Sequence, residues 1–280
     1  MILIADSGST KTDWIIIDKA NSYPFQTKGI NPFFLDASLV KKDILNNFPS
    51  QLDIHSIKSV FFYGPGCSST ERCAIVEQPL NNIFKSATIK INTDLLGAAR
   101  ALFQKEKGIA CILGTGSNSG LYNGNIITEN IPSTGYILGD EGSGAKLGLE
   151  LIKLFINKQL DTNTENLFIE TYNLTLEQII DKVYRQSYPN RFLASFTPFI
   201  LKNIKNTTIN KIVKKSFSDF INLHILPYSN AKTTNIAFVG SVAYYFKNTI
   251  EEIALEKNIR ITKYEQKPIL ELAKYHALVL

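Results

Sequence analysis

The chain has 280 residues, 44% hydrophobic and 20% charged, enough for about two soluble globular domains with cores of their own. Its net charge of +5 comes from lysines spread along the chain, too dispersed for a nucleic-acid surface, and no apolar run reaches the length of a membrane span. The three cysteines (Cys67, Cys73, Cys111) are odd in number, and MILIADSG reads as a strand entering a loop, so a cytoplasmic protein with reduced thiols is expected.

In chain order, residues 2–5 and 14–17 are apolar strand runs around the polar loop DSGSTKTD, and a third extended stretch covers 22–28. Helical spacing predicts a helix over 36–48, with Asp36 as its N-cap. A buried strand at 58–63 ends at Gly64-Pro65-Gly66, and 70–84 read as helix with Pro79 as a kink or restart. Strand 88–92 leads to a helix opening at Asp94. Strand 109–113 runs into GTGSN, and 119–128 read as a hairpin turning at Asn123-Gly124. An apolar helix is expected at 145–156, mostly helical chain over 164–227, strand 236–239, helix 243–257, strand 259–264 and a final helix at 268–278. A strand meander followed by alternating units, twice over, predicts α/β layers in duplicated halves with a boundary near 105–108.

Polar chemistry gathers where these strands end. In residues 6–13, Gly8 permits a tight turn, and Ser7, Ser9, Thr10 and Thr12 offer hydroxyls. Lys11 can neutralise a phosphate, and Asp6 can hold a magnesium ion directly or through water. The loop is no Walker motif, because GxxxxGK[ST] spacing is absent and a strand follows. A polar hairpin turn is the plainer alternative. LGTGSN repeats the logic with Gly114, Thr115, Gly116 and Ser117, and two such loops could clamp a triphosphate. Asp94 is either an N-cap, a job Thr93 could also do, or a general base for a substrate hydroxyl. In GDEGSG, Asp140 could accept hydrogen bonds from sugar hydroxyls, and Glu141 could do the same or orient magnesium. Gly240-Ser241 is either a close strand–helix packing turn or a seat for a nucleotide. The histidines 55, 224 and 276 lack metal-ligand spacing, so surface or core packing is expected for each, although His276 lies where a helix end favours a cation.

The order DSGSTKTDW, GINP, NTDLLGAA, LGTGSN, GDEGSG, VGSVA resembles the BadF/BadG/BcrA/BcrD ATPase family and the N-acetylglucosamine kinases within it, part of the sugar-kinase, actin and Hsp70 superfamily. The likeness spans residues 2 to about 276. It implies an α/β fold of two actin-like (ribonuclease H-like) domains with an interdomain ATP cleft. The N-terminal lobe would be 1–107 plus 267–280 and the C-terminal lobe 108–266. Asp6, Gly8, Ser9, Thr10 and Lys11 match the first phosphate loop, Gly114, Thr115, Gly116 and Ser117 the second, and Gly240 and Ser241 the adenosine motif. Asp94 matches the catalytic aspartate, and Asn31 and Asp140 match sugar-contacting residues.

The expected function is therefore an ATP-dependent, magnesium-requiring kinase for a sugar, such as the amino sugar N-acetylglucosamine, with room for a homodimer and no nucleic-acid or membrane partner. Two alternatives are an ATPase of the dehydratase-activator type, which needs cysteine thiolates for an iron–sulfur cluster, and a non-catalytic sugar sensor.

Overall fold

The computed structural model describes residues 1–19, 21–32 and 35–277. The chain forms two compact units. One comprises Met1–Lys107, Tyr122–Thr128 and the segment from Lys267 onward, and the other comprises Gly108–Leu121 and Glu129–Gln266.

The first unit is built from β1 (Ile2–Ser7), β2 (Lys11–Asp18), β3 (Asn21–Lys28), α1 (Ala37–Asn47), β4 (Ser59–Gly64), α2 (Thr70–Ile83), β5 (Thr88–Thr93) and α3 (Asp94–Phe103). Its five-stranded sheet runs β3-β2-β1-β4-β5. The meander pairs antiparallel, whereas β4 and β5 add in parallel beside β1. Side chains alternate across a strand, so Leu3, Ala5, Trp14 and Ile16 enter one core with Val76 and Leu80 of α2. Ile2, Ile4, Ile15 and Ile17 enter a second core with Ala101 of α3. Both faces are covered, which is why these strands read as unbroken apolar runs. Trp14 is fully buried, stacks on Phe25 with centroids 5.6 Å apart, and satisfies its indole N–H on Thr27 Oγ1 at 2.8 Å.

The second unit contains β6 (Gly108–Leu113), β7 (Ser117–Tyr122), β8 (Ile127–Ile131), α4 (Gly135–Leu138), α5 (Gly144–Ile156), α6 (Thr162–Tyr172), α7 (Leu176–Tyr184), α8 (Pro189–Ala194), α9 (Thr197–Lys202), α10 (Thr207–His224), β9 (Ile236–Val239), α11 (Ser241–Tyr245), α12 (Lys247–Glu256) and β10 (Ile261–Glu265), except that Tyr122–Thr128, which include the last residue of β7 and the first two of β8, group with the first unit. Its sheet runs β10-β9-β6-β7-β8. Counted within each unit, both sheets have the order third-second-first-fourth-fifth, so the duplicated halves expected from the strand pattern are present. Helix α13 (Ile269–Ala277) belongs to the first unit, where Ile269 and Leu272 join the core of Ile2 and Ile4.

Several local expectations are corrected. Pro79 does not restart a helix, because α2 continues through it while Val76, Pro79, Leu80 and Ile83 are buried together. The hairpin turn is longer than Asn123-Gly124: four residues separate β7 from β8, and Asn123 Oδ1 accepts from the Asn125 and Ile126 amides. The helix expected at 243–257 is two, α11 and α12, divided at Phe246, and α4 was not anticipated. The final helix was expected to reach Leu278, which lies outside the described residues.

His276 is not a helix-end cation. It is buried, stacks on Phe61 at 3.9 Å, and sits 2.8 Å from the Tyr63 hydroxyl, which also accepts from Arg100 Nη1. Burial and the nearby charges of Arg100, Lys90 and Lys105 push its pKa down to about 4. Among the described residues no helix is long and apolar enough to cross a membrane.

Candidate active site

In the first unit, the turn between β1 and β2 closes with the Gly8 N–H donating to the Lys11 carbonyl at 2.8 Å. The GINP segment lies directly on it: the Gly29 N–H donates to Thr10 O at 3.0 Å, and a Cβ at position 29 would stand 2.4 Å from Gly8 O. Only glycine permits that approach. Ser7 and Thr12 are buried, and their hydroxyls bond each other at 2.8 Å. Ser7 Oγ also joins both the N–H and the carbonyl of Ile30 at 2.9 Å, fixing the backbone next to Asn31. Two of the loop's four hydroxyls are therefore structural, leaving Ser9 and Thr10 towards its tip. Lys11 pairs with Asp13 at 2.8 Å.

Asp6, next to last in β1, is in register with Tyr63, which is in register with Asn92, so Asp6 and Asp94 lie at the carboxyl ends of parallel strands. In open α/β sheets that edge is where ligands bind. Thr93 caps α3 through its bond to Leu96 N, and Asp94 is released from that job to the first helical position, where its Oδ1 accepts from Leu95 N at 2.8 Å. Burial raises Asp94 to about 6. Burial first, then the charges of Asp13 and Asp94, raise Asp6 to about 7, against the opposing pull of Lys11.

In the second unit, the turn from β6 to β7 closes with the Gly114 N–H on Gly116 O at 2.9 Å. The Gly144 and Ala145 amides at the start of α5 donate to Gly114 O and Thr115 O at 2.8 and 3.1 Å. Asp140 accepts from Ser133 Oγ at 2.8 Å and from the Ser117 amide. A Cβ at Gly116 would lie 3.0 Å from Asp140 Oδ2, so the glycine is what lets that carboxylate rest against the turn. Burial, opposed by these hydrogen bonds, raises Asp140. Ser117 Oγ is buried with no hydrogen-bond partner among the described residues. Glu141 accepts from His224 Nε2 at 3.0 Å. At Gly240 φ is +111°, and a Cβ there would stand 2.3 Å from Leu113 O, while Ser241 is exposed at the start of α11.

The structure thus brings Asp6, residues 8–11, Asn31 and Asp94 into one unit, and residues 114–117, Asp140, Glu141, Gly240 and Ser241 into the other. Sequence reasoning missed the supporting roles of Ser7, Thr12, Gly29, Ser133 and His224. Ser7, Thr12 and Gly29 stood inside quoted motifs. His224, which is 83 residues from Glu141, gave no local signal.

No protein-family model matches the chain. A solved structure described as a candidate N-acetylglucosamine kinase from Porphyromonas gingivalis is 39% identical, has a TM-score of 0.93, and is covered over 98% of its length by 99% of this chain. The chain belongs to the N-acetylglucosamine kinase-like branch of the BadF/BadG/BcrA/BcrD family. A curated N-acetylmuramic acid/N-acetylglucosamine kinase from Clostridium acetobutylicum is 28% identical over 157 residues, 54% of this chain. That match spans about half the length of the relative, 51%. A second candidate N-acetylglucosamine kinase, from Chromobacterium violaceum, shares the fold at a TM-score of 0.74 with 11% identity over 98% of this chain and 99% of that one. Two α/β units with one strand order are the actin-like architecture of this N-acetylglucosamine kinase-like family.

Proposed function

We propose that the chain is an ATP-dependent kinase that phosphorylates an amino sugar of the N-acetylglucosamine class. The observation that carries this reading is Asp94: a half-buried carboxyl at the end of β5, freed from capping by Thr93 and raised to about 6. Such a group is ionised at neutral pH yet basic enough to take a proton from a sugar hydroxyl. In the proposed reaction the hydroxyl gives its proton to Asp94 while its oxygen bonds to the γ-phosphorus of ATP. The bond to the bridging oxygen breaks, and ADP leaves with that electron pair.

Residues 8–11 and 114–117 each supply backbone N–H groups and hydroxyls to the phosphates. The unpartnered Ser117 hydroxyl suits an acceptor of that kind. The adenosine lies against Gly240 and Ser241, and Asn31 and Asp140 contact the sugar. Among the described residues no three metal-binding side chains are clustered. Mg²⁺ in kinases is held by one or two carboxylates beside water and phosphate oxygens. Asp6, held among carboxylates without enough positive charge, suits it. The ion would neutralise charge building on the transferred phosphoryl group.

The dehydratase-activator alternative is not favoured, because burial raises Cys67 to about 12 and Cys111 well above the usual thiol range, which opposes thiolate ligation. The test is Asp94→Asn. Turnover should fall on the order of 10²–10⁴-fold, while calorimetric nucleotide affinity stays within about threefold of the parent. Parental turnover in this variant would remove Asp94 from the role.

A further inference from the structure

The GDEGSG loop rests on one face of α10. Residues 216, 220 and 224 are spaced four apart, so they line a single helical stripe. Ser216 Oγ accepts from the Gly142 N–H at 3.0 Å. Phe220 packs under Gly142, whose φ is +74° and where a Cβ would lie 3.1 Å from Phe220 Cβ. His224 Nε2 donates to Glu141 Oε2 at 3.0 Å, its ring stacked on Phe220 at 5.3 Å. The other ring nitrogen, Nδ1, is buried without a hydrogen-bond partner among the described residues, so Nε2 makes the ring's polar contact.

The loop so gripped holds the second phosphate turn from two sides. Gly144 and Ala145 donate to the carbonyls of residues 114 and 115, and Asp140 accepts from the Ser117 amide and abuts Gly116. The end of α10 also reaches the strand leaving that turn, because Ser119 Oγ donates to the His224 carbonyl at 2.6 Å. A purely structural contact at position 224 would be served as well by an apolar side chain, since polar pairs in such places seldom add net stability. What a leucine could not do is fix the direction of the Glu141 carboxylate.

We infer that Ser216, Phe220 and His224 are positioning residues: acting through Gly142 and Glu141, they hold Asp140 and the 114–117 turn in register with one another. The catalytic consequence rests on the kinase reading above, whereas the positioning itself does not.

The experiment is hydrogen exchange on the full chain, comparing the parent with His224→Leu, His224→Gln and Ser216→Ala. In His224→Leu, amides of residues 139–145 and 114–119 should exchange about tenfold faster, with the remaining second-unit core unchanged. His224→Gln, whose amide can still donate to Glu141, should stay within about threefold of the parent. Ser216→Ala, a small change that keeps the helix, should loosen the same two segments. Unchanged exchange in both His224→Leu and Ser216→Ala would overturn the inference. So would an even loosening of the whole unit, or equal loosening by Leu and Gln. In a parallel ADP-release assay, His224→Leu should lose about tenfold in kcat and His224→Gln should recover it. A parent protein silent in that assay would refute the kinase reading, while the exchange pattern would still decide the positioning claim.

Discussion

Asp6 and Asp94 sit where water stabilises their charge poorly, and the protein keeps them at a cost in stability. Each has a folded pKa above its unfolded value, so it binds more protons folded than unfolded between those values. The resulting stability is fully present below about pH 4 and is lost as pH rises through about 6 for Asp94 and about 7 for Asp6. Asp6→Asn removes the larger of these penalties. At pH 8 its Tm should exceed the parent's by on the order of 5 °C, the difference shrinking towards zero near pH 4. An equal or lower Tm at pH 8 would mean that Asp6 is not strained in the free protein. Exchanging stability for a charged site in this way is common at functional centres.

At the scale of elements, the polar loops were legible because glycine and hydroxyl residues interrupt continuous apolar strands, and ILIA–DSGSTKTD–WIII needs no tertiary information to be read as strand, turn, strand. The cap of α1 was equally local, with Asp36 accepting from Ser38 N and Leu39 N. What escaped was set by packing. Pro79 breaks helices on propensity alone, but the burial of its neighbours carries α2 through it. His276 reads as a helix-end cation until Phe61 and Tyr63 are seen to enclose it. The bond from His224 to Glu141 spans 83 residues and is set by packing too, while the carboxylate keeps a second oxygen for a ligand. At Gly240 the positive φ and the 2.3 Å approach to Leu113 O show the close packing turn that the sequence allowed, and Ser241 beside it stays exposed. Gly240→Ala should therefore cost about 2 kcal/mol or more in denaturant unfolding, and a loss near zero would contradict the close approach.

Across the whole molecule, the same strand order appears in both units, and the first unit is completed by α13 after the chain has built the second. Each unit has its own glycine turn and its own raised aspartates: Asp6 and Asp94 where strands end in one, and Asp140, between α4 and α5, resting against the turn at Gly116 in the other. An enzyme that transfers phosphate from ATP to a sugar has use for both sets, whereas an ATPase or a sensor has no need of a base for a sugar hydroxyl. The measurement that tests this most directly is ADP release from ATP in the presence of Mg²⁺ with N-acetylglucosamine, N-acetylmannosamine, glucosamine, muramic-acid derivatives or glucose, against a sugar-free control. The expected result is ADP release that depends on an amino sugar and falls on the order of 10²–10⁴-fold in Asp94→Asn. ADP release at the same rate with and without every sugar would contradict the account.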